Sequence, residues 1–148
     1  MEASRRLLLL AAATAVLPAR AGTPPPELGQ ALPAVRLHGQ GRLRFLGLHV
    51  YDIRLWTPGD FAPERWSEAP LALEIEYARS LVGQAIAERS LEEMKRQGEL
   101  PAPRAQAWLD EMRRLFPDVK AGDRITGVKR PGVGAAFYVN GSLRGEVR

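Results

Sequence analysis

The stretch LALEIEYARSLVGQAIAERSLEEMKRQ, residues 71–97, changes its hydrophobic period partway along, and that change decides the fold class. Over Leu71–Tyr77 the residues Leu71, Leu73, Ile75 and Tyr77 alternate with Ala72, Glu74 and Glu76, the period of two of a strand with one apolar face. From Ser80 to Gln97 the period lengthens. Val82, Ile86, Ala87, Leu91 and Met94 recur at helical spacing, charged residues fill the other positions, and Gly98 stops the run. Ser90 followed by Glu93 also reads as a capping box, so two short helices meeting near Ser90 are an alternative to one.

Downstream, Ala105, Trp108, Leu109, Met112, Leu115 and Phe116 make a second amphipathic helix, which begins after Pro101 and Pro103 and ends at Pro117. Three short strands follow, at Arg124–Lys129, Ala135–Val139 and Leu143–Val147. Pro131-Gly132 turns the first pair, and Asn140-Gly141, the strongest short hairpin signal, turns the second. Upstream, the apolar run Leu43–Trp56, interspersed with Arg44, His49, Asp52 and Arg54, reads as one long strand with a bend at Gly47. The segment 22–33, with Pro24-Pro25-Pro26 and Pro33, predicts an extended lead-in outside the core, and the domain spans 34–148. Strand, strand, two helices and three strands predict an α+β fold, an antiparallel sheet covered on one face by amphipathic helices. The last strand runs directly into Arg148, so an uncovered sheet edge and a C-terminally incomplete domain are expected.

The chain has 148 residues, 45% hydrophobic and 26% charged, with no cysteine. This is ordinary globular composition, and it excludes thiol catalysis and zinc held by thiolates. Residues 1–21 have the layout of a secretory signal: Arg5-Arg6, the apolar run Leu7–Leu17, then Pro18 and Ala19-Arg20-Ala21 before a cleavage point at Gly22. The run is far short of the roughly 20 residues that span a bilayer, so export to the periplasm or medium is expected, with no stable membrane span left afterwards. Ser4-Arg5-Arg6 also resembles a twin-arginine signal, which leaves the export route open. Removal of the leader takes away Arg5, Arg6, Arg20 and Glu2, and the formal net charge of +4 falls to +2. The remaining basic residues are interleaved with acidic ones, which argues against nucleic acid as a partner.

Catalytic signatures are missing from the sequence. His38 and His49 are the only histidines, no glycine loop cradles phosphate, and no nucleophile elbow occurs, so neither a metal nor a cofactor is expected. The carboxylate pairs Glu92/Glu93 and Asp110/Glu111 are adjacent on helices and do not converge on one atom. A sheet capped by helices does leave an apolar cleft between its layers, which points to a small apolar ligand before any reaction.

Residues Arg44–Trp56, Tyr77–Ser80, Ala85–Met94, Phe116–Asp123 and Phe137–Gly141, in this order, resemble the bacterial, exported branch of the chalcone isomerase-like family. The resemblance reaches from Arg36 to Val147 and implies an open-faced β-sandwich. It also implies a helical continuation after the Asn-Gly hairpin, which this sequence lacks. Plant members close a flavanone ring with an Arg, a Thr, a Tyr and an Asn. Matching Arg44-Phe45 and Gly83-Gln84 to the family puts Leu46 at the Thr, Ile86 at the Tyr and Glu93 at the Asn. Hydrocarbon at the first two can neither order water nor polarise a ketone, so catalysis does not carry over.

Non-catalytic members of the superfamily bind fatty acids, an arginine gripping the carboxylate. The resemblance therefore implies a ligand-binding protein with Leu46, Ile86 and Glu93 at the cleft and Arg36 as the anchor. Arg79, just after the 71–77 strand, is a second candidate anchor, whose plainer reading is a strand-end surface charge. Two other readings remain: an isomerase using a desolvated Glu88 or Glu93 as base, and a scaffold that binds another protein through its exposed sheet edge.

Overall fold

The computed structural model describes residues 22–148, so the expected leader lies outside the described residues. Six strands form one antiparallel sheet in sequence order: β1 (Val35–Phe45), β2 (Leu48–Pro58), β3 (Leu71–Tyr77), β4 (Arg124–Arg130), β5 (Gly134–Val139) and β6 (Ser142–Val147). A short helix α1 (Leu28–Ala31) precedes the sheet, and a 3₁₀ segment, Pro63–Glu68, joins β2 to β3. Helices α2 (Gly83–Arg96) and α3 (Ala102–Leu115) sit between β3 and β4. The α+β antiparallel architecture is the one the hydrophobic periods predict, and its open-faced form is the one the family resemblance implies.

Helix α2 is continuous through Ser90. The Ser90 hydroxyl donates to the carbonyl of Ile86 at 2.8 Å, a bond within the helix that takes the place of a cap. The N-terminus of α2 is instead held by Asp118, whose carboxylate accepts from the Gly83 amide at 2.8 Å. Leu81 and Val119 pair beside it. A Cβ on Gly83 would collide with the backbone carbonyls of Phe116 and Pro117, so glycine is what lets the two helix ends meet.

The run read as a single strand bent at Gly47 is two strands. Phe45 pairs with Leu48, leaving Leu46 and Gly47 as a two-residue turn with φ of 50° and 78°. Asn140 and Gly141 have nearly the same values, 49° and 87°, and join β5 to β6 as expected. Leucine is not a residue that announces such a turn, which is why the break escapes a reading by composition.

The sheet carries apolar clusters on both faces. On the first, Tyr77, Ile125 and Val147 pack against Ile86, Ala87 and Leu91 of α2 and Ala105, Met112 and Leu115 of α3. Phe116 meets Phe137 edge-on with ring centres 5.1 Å apart. On the second face Trp56, Ala72, Val128 and Ala136 are covered by Leu28 and Leu32. The 22–33 segment is therefore not an extended lead-in outside the core. Its two leucines close the second core, and Trp56 beneath them is fully buried.

Candidate functional site

Side chains alternate across a strand, so the pairing register sorts every sheet residue onto a face. The α1 face carries the row Leu37, Trp56, Ala72, Val128 and Ala136, then the row Gln40, Arg54, Glu74, Thr126 and Tyr138, then Arg42, Asp52, Glu76 and Arg124. The helix face carries Gly39, Leu55, Leu73, Gly127 and Phe137 in one row, Gly41, Ile53, Ile75, Ile125 and Val139 in the next, and Leu43, Tyr51 and Tyr77 in the third.

The polar rows of the α1 face form a ladder of ion pairs. Arg54 donates to Glu74 at 2.6 Å and to Glu76 at 3.3 Å, and Arg124 bridges Glu27 and Glu74. Thr126 donates to the same Glu27 oxygen at 2.7 Å. Burial opposes the charge on Arg54, but its bonds to Glu74 and Glu76 outweigh this and hold its pKa above the ordinary guanidinium value. At the outer end, the Arg42 hydrogen bond, helped by His49, holds the Asp52 carboxyl below the ordinary range. The charges of this ladder pair with one another and fasten the α1 segment through Glu27, whose Oε2 is buried without a hydrogen-bond partner among the described residues. Among the described residues no cluster of His, Cys, Asp or Glu is arranged to hold a metal.

The helix face is where the chain leaves something unfinished. Tyr51, Ile75, Tyr77, Phe137 and Val139 pack into the helix layer, whereas Leu43, Ile53, Leu55 and Leu73 belong to neither core. Leu73 is 37% exposed while its neighbour Glu74 is 4% exposed, so over these two residues of β3 the polar one is the more deeply buried. An exposed leucine beside a buried carboxylate is the informative departure from ordinary burial. The four side chains, Leu73 exposed and the other three half-buried, form an apolar strip across β1–β3, hereafter the trough, about 10 Å wide by about 14 Å long from strand and residue spacings. On the β1 side, Gly39 and Gly41 leave bare backbone: an added Cβ meets nothing at Gly39, and at Gly41 only the Ile53 side chain at 3.6 Å.

Polar groups stand at both ends of the trough. Arg36 is in register with Thr57, on the helix face by alternation, and its guanidinium donates to the Gly59 carbonyl at 3.1 Å. Lys129 pairs with Leu71 in the same end row and lies 4.7 Å over the Trp66 ring, its pKa lowered by burial. At the opposite end Tyr51 and Tyr77 meet edge-on at 6.1 Å, and burial, with a smaller push from Tyr51, raises the Tyr77 pKa well above the usual phenol value.

The five residues singled out from the sequence do not gather at one point. Arg36 and Arg79 mark opposite ends of the trough, one near the start of β1 and the other just past the end of β3. Leu46 is in the β1–β2 turn, 86% exposed, beyond the trough. Ile86 is buried in the core beneath α2. Glu93 lies on the outer surface of α2, each of Arg89 and Arg96 3.0 Å away. Glu88 is likewise half exposed and pairs with Arg113 at 3.3 Å, so neither glutamate has the desolvated setting of a general base. In the sequence Leu43, Ile53, Leu55 and Leu73 carry the pattern of ordinary core, so nothing local singles them out.

A second hollow, lined by Arg130, Val133, Gly134, Ala136, Glu146 and Val147, has a cavity volume of only about 20 Å³. That is below the 300–1,000 Å³ typical of small-molecule sites. Among the described residues no helix is long and apolar enough to cross a membrane.

No protein-family model matches the chain, and no curated protein matches it. Among solved structures it is similar to the crystal structure of a fatty-acid binding protein from Arabidopsis thaliana, with a TM-score of 0.56 and 15% sequence identity. The match covers 77% of this chain and 73% of that one. The fold of this chain is thus chalcone isomerase-like, a six-stranded open sheet with its two long helices on one face.

Proposed function

We propose that this chain, on its chalcone isomerase-like scaffold, is an exported, non-catalytic protein that binds a small amphipathic ligand such as a fatty acid. The observation that carries the reading is the apolar trough left open beside the helix layer. The similar plant structure, itself a fatty-acid binding protein, supports the same ligand class.

Magnitudes say what such a ligand must look like. Covering about 140 Å² of sheet and a like area of ligand at ~25 cal/mol per Å² contributes about 7 kcal/mol. Association costs about 4–15 kcal/mol, so apolar contact alone leaves little net affinity. A charged end that forms a paired hydrogen bond is needed, and Arg36, at the end of the trough with an exposed side chain, is the anchor in this reading.

Native mass spectrometry of delipidated protein with a mixture of fatty acids and flavonoids is the test. A stoichiometric fatty-acid adduct that weakens in Arg36→Ala is the expected outcome. A compact protein that takes up neither class overturns the reading, and an unchanged adduct in Arg36→Ala removes that arginine from the site.

A further inference from the structure

The β1–β2 hairpin runs past the rest of the sheet. The last pair between β2 and β3 is Tyr51 with Tyr77, yet the hairpin continues through Arg44–His49 and Phe45–Leu48 to the Leu46-Gly47 turn. This projects the tip roughly 10 Å beyond its neighbour strand at ~3.4 Å per residue. At the tip Phe45 is 67% exposed, Leu46 86% and Leu48 51%.

The turn supplies a second, independent observation. The same chain makes the same left-handed two-residue turn twice, once with Asn140-Gly141 and once with Leu46-Gly47. Asparagine suits positive φ and water, whereas leucine suits neither, so position 46 carries both backbone strain and an exposed hydrocarbon. Departures from local consistency of this kind mark places where something other than stability sets the residue.

The surroundings of the tip are basic. Arg44 is exposed and has no ion-pair partner among the described residues, whereas Arg42 beside it on β1 is taken up by Asp52. Arg79 and the 60%-exposed Val82 follow β3 at the same end of the sheet. Of the acids at this end, Asp52 is paired with Arg42 and His49, whereas Asp118 and Asp123 accept from the Gly83 and Lys120 amides, bonds that do not cancel a carboxylate's charge, so the positive charge at the tip itself rests on Arg44 and Arg79.

We propose that the Phe45-Leu46-Gly47-Leu48 hairpin tip is a membrane-docking point, which inserts its apolar side chains into the interface of an anionic bilayer while Arg44 and Arg79 meet the headgroups. The projection matches the roughly 5–10 Å depth at which apolar faces seat at the headgroup boundary, and basic side chains at that level add attraction to anionic lipid. The inference stands apart from the ligand reading, because it concerns the outside of the hairpin rather than the trough.

The chain has no cysteine, so Leu46→Cys accepts a single environment-sensitive NBD label, with Val133→Cys, 58% exposed, as the control. Both are made in the full chain, so any attraction of residues 1–21 to lipid is common to them. With phosphatidylglycerol vesicles the label at 46 is expected to shift to the blue and brighten, and the label at 133 to stay unchanged. Phe45→Ser combined with Leu48→Ser should lower vesicle partitioning about tenfold or more, and Arg44→Glu about fivefold on anionic vesicles only. No change at 46, or equal changes at 46 and 133, overturns the proposal. A blue shift at 46 that grows with protein concentration in the absence of vesicles also overturns it, in favour of contact with a second copy of the chain.

Discussion

Leu46 is the residue whose chemistry and conformation disagree most. Its φ of 50° costs an L-amino acid other than glycine or asparagine roughly 1–2 kcal/mol, and its exposed side chain regains nothing by burial. Leu46→Asn is therefore expected to raise stability by about 1 kcal/mol, read as a higher urea midpoint at unchanged slope. Asp52 makes a pH-dependent contribution. Its carboxyl, held low by Arg42 and then His49, adds stability that is complete above the unfolded value near ~3.9 and is lost as the pH falls through the lower folded value. Asp52→Asn should leave a chain less stable at pH 7, with a shallower loss below about pH 4, measured by denaturation across pH 2–7.

Among the elements, α1 does more than its four residues suggest. Leu28 is 1% exposed against Trp56, and Glu27 ties the segment to Arg124 and Thr126. Without it the α1 face of the sheet opens to water. Leu28→Ala is expected to cost about 2–4 kcal/mol, checked by thermal or chemical denaturation. An effect under about 0.5 kcal/mol would mean that the segment lies loosely on the sheet. The same element shows where sequence reading stops. Three consecutive prolines and few large apolar residues describe a linker, and nothing local says that the two leucines behind them meet a tryptophan from β2.

For the whole molecule, the division of labour between the two faces of one sheet is the central point. Helices α2 and α3 cover the β3–β6 side of the helix face and leave Leu43, Ile53, Leu55 and Leu73 partly open. Leu73→Asp should therefore cost under about 1 kcal/mol while abolishing the fatty-acid adduct, whereas Met112→Ala in the covered core should cost about 2–5 kcal/mol. Parallel denaturation and native mass spectrometry separate the two. Equal destabilisation by both variants would mean that Leu73 is core and that no trough is available to a ligand.

The hydrophobic periods and turn residues alone determined the strand at Leu71–Tyr77, both long helices, the Asn140-Gly141 hairpin and the α+β class, because each rests on neighbours within one or two turns of chain. What only the tertiary structure decided depends on residues far apart in sequence. Glu74 lies buried because Arg54 and Arg124 come from flanking strands to neutralise it, and Leu73 is left open because the helix layer ends short of it. Leu46 turned out to be a turn residue because the register of β1 on β2 puts Phe45 opposite Leu48. A local period says that a side chain alternates; which face is covered is set by what packs there, and that is a property of the assembled sheet.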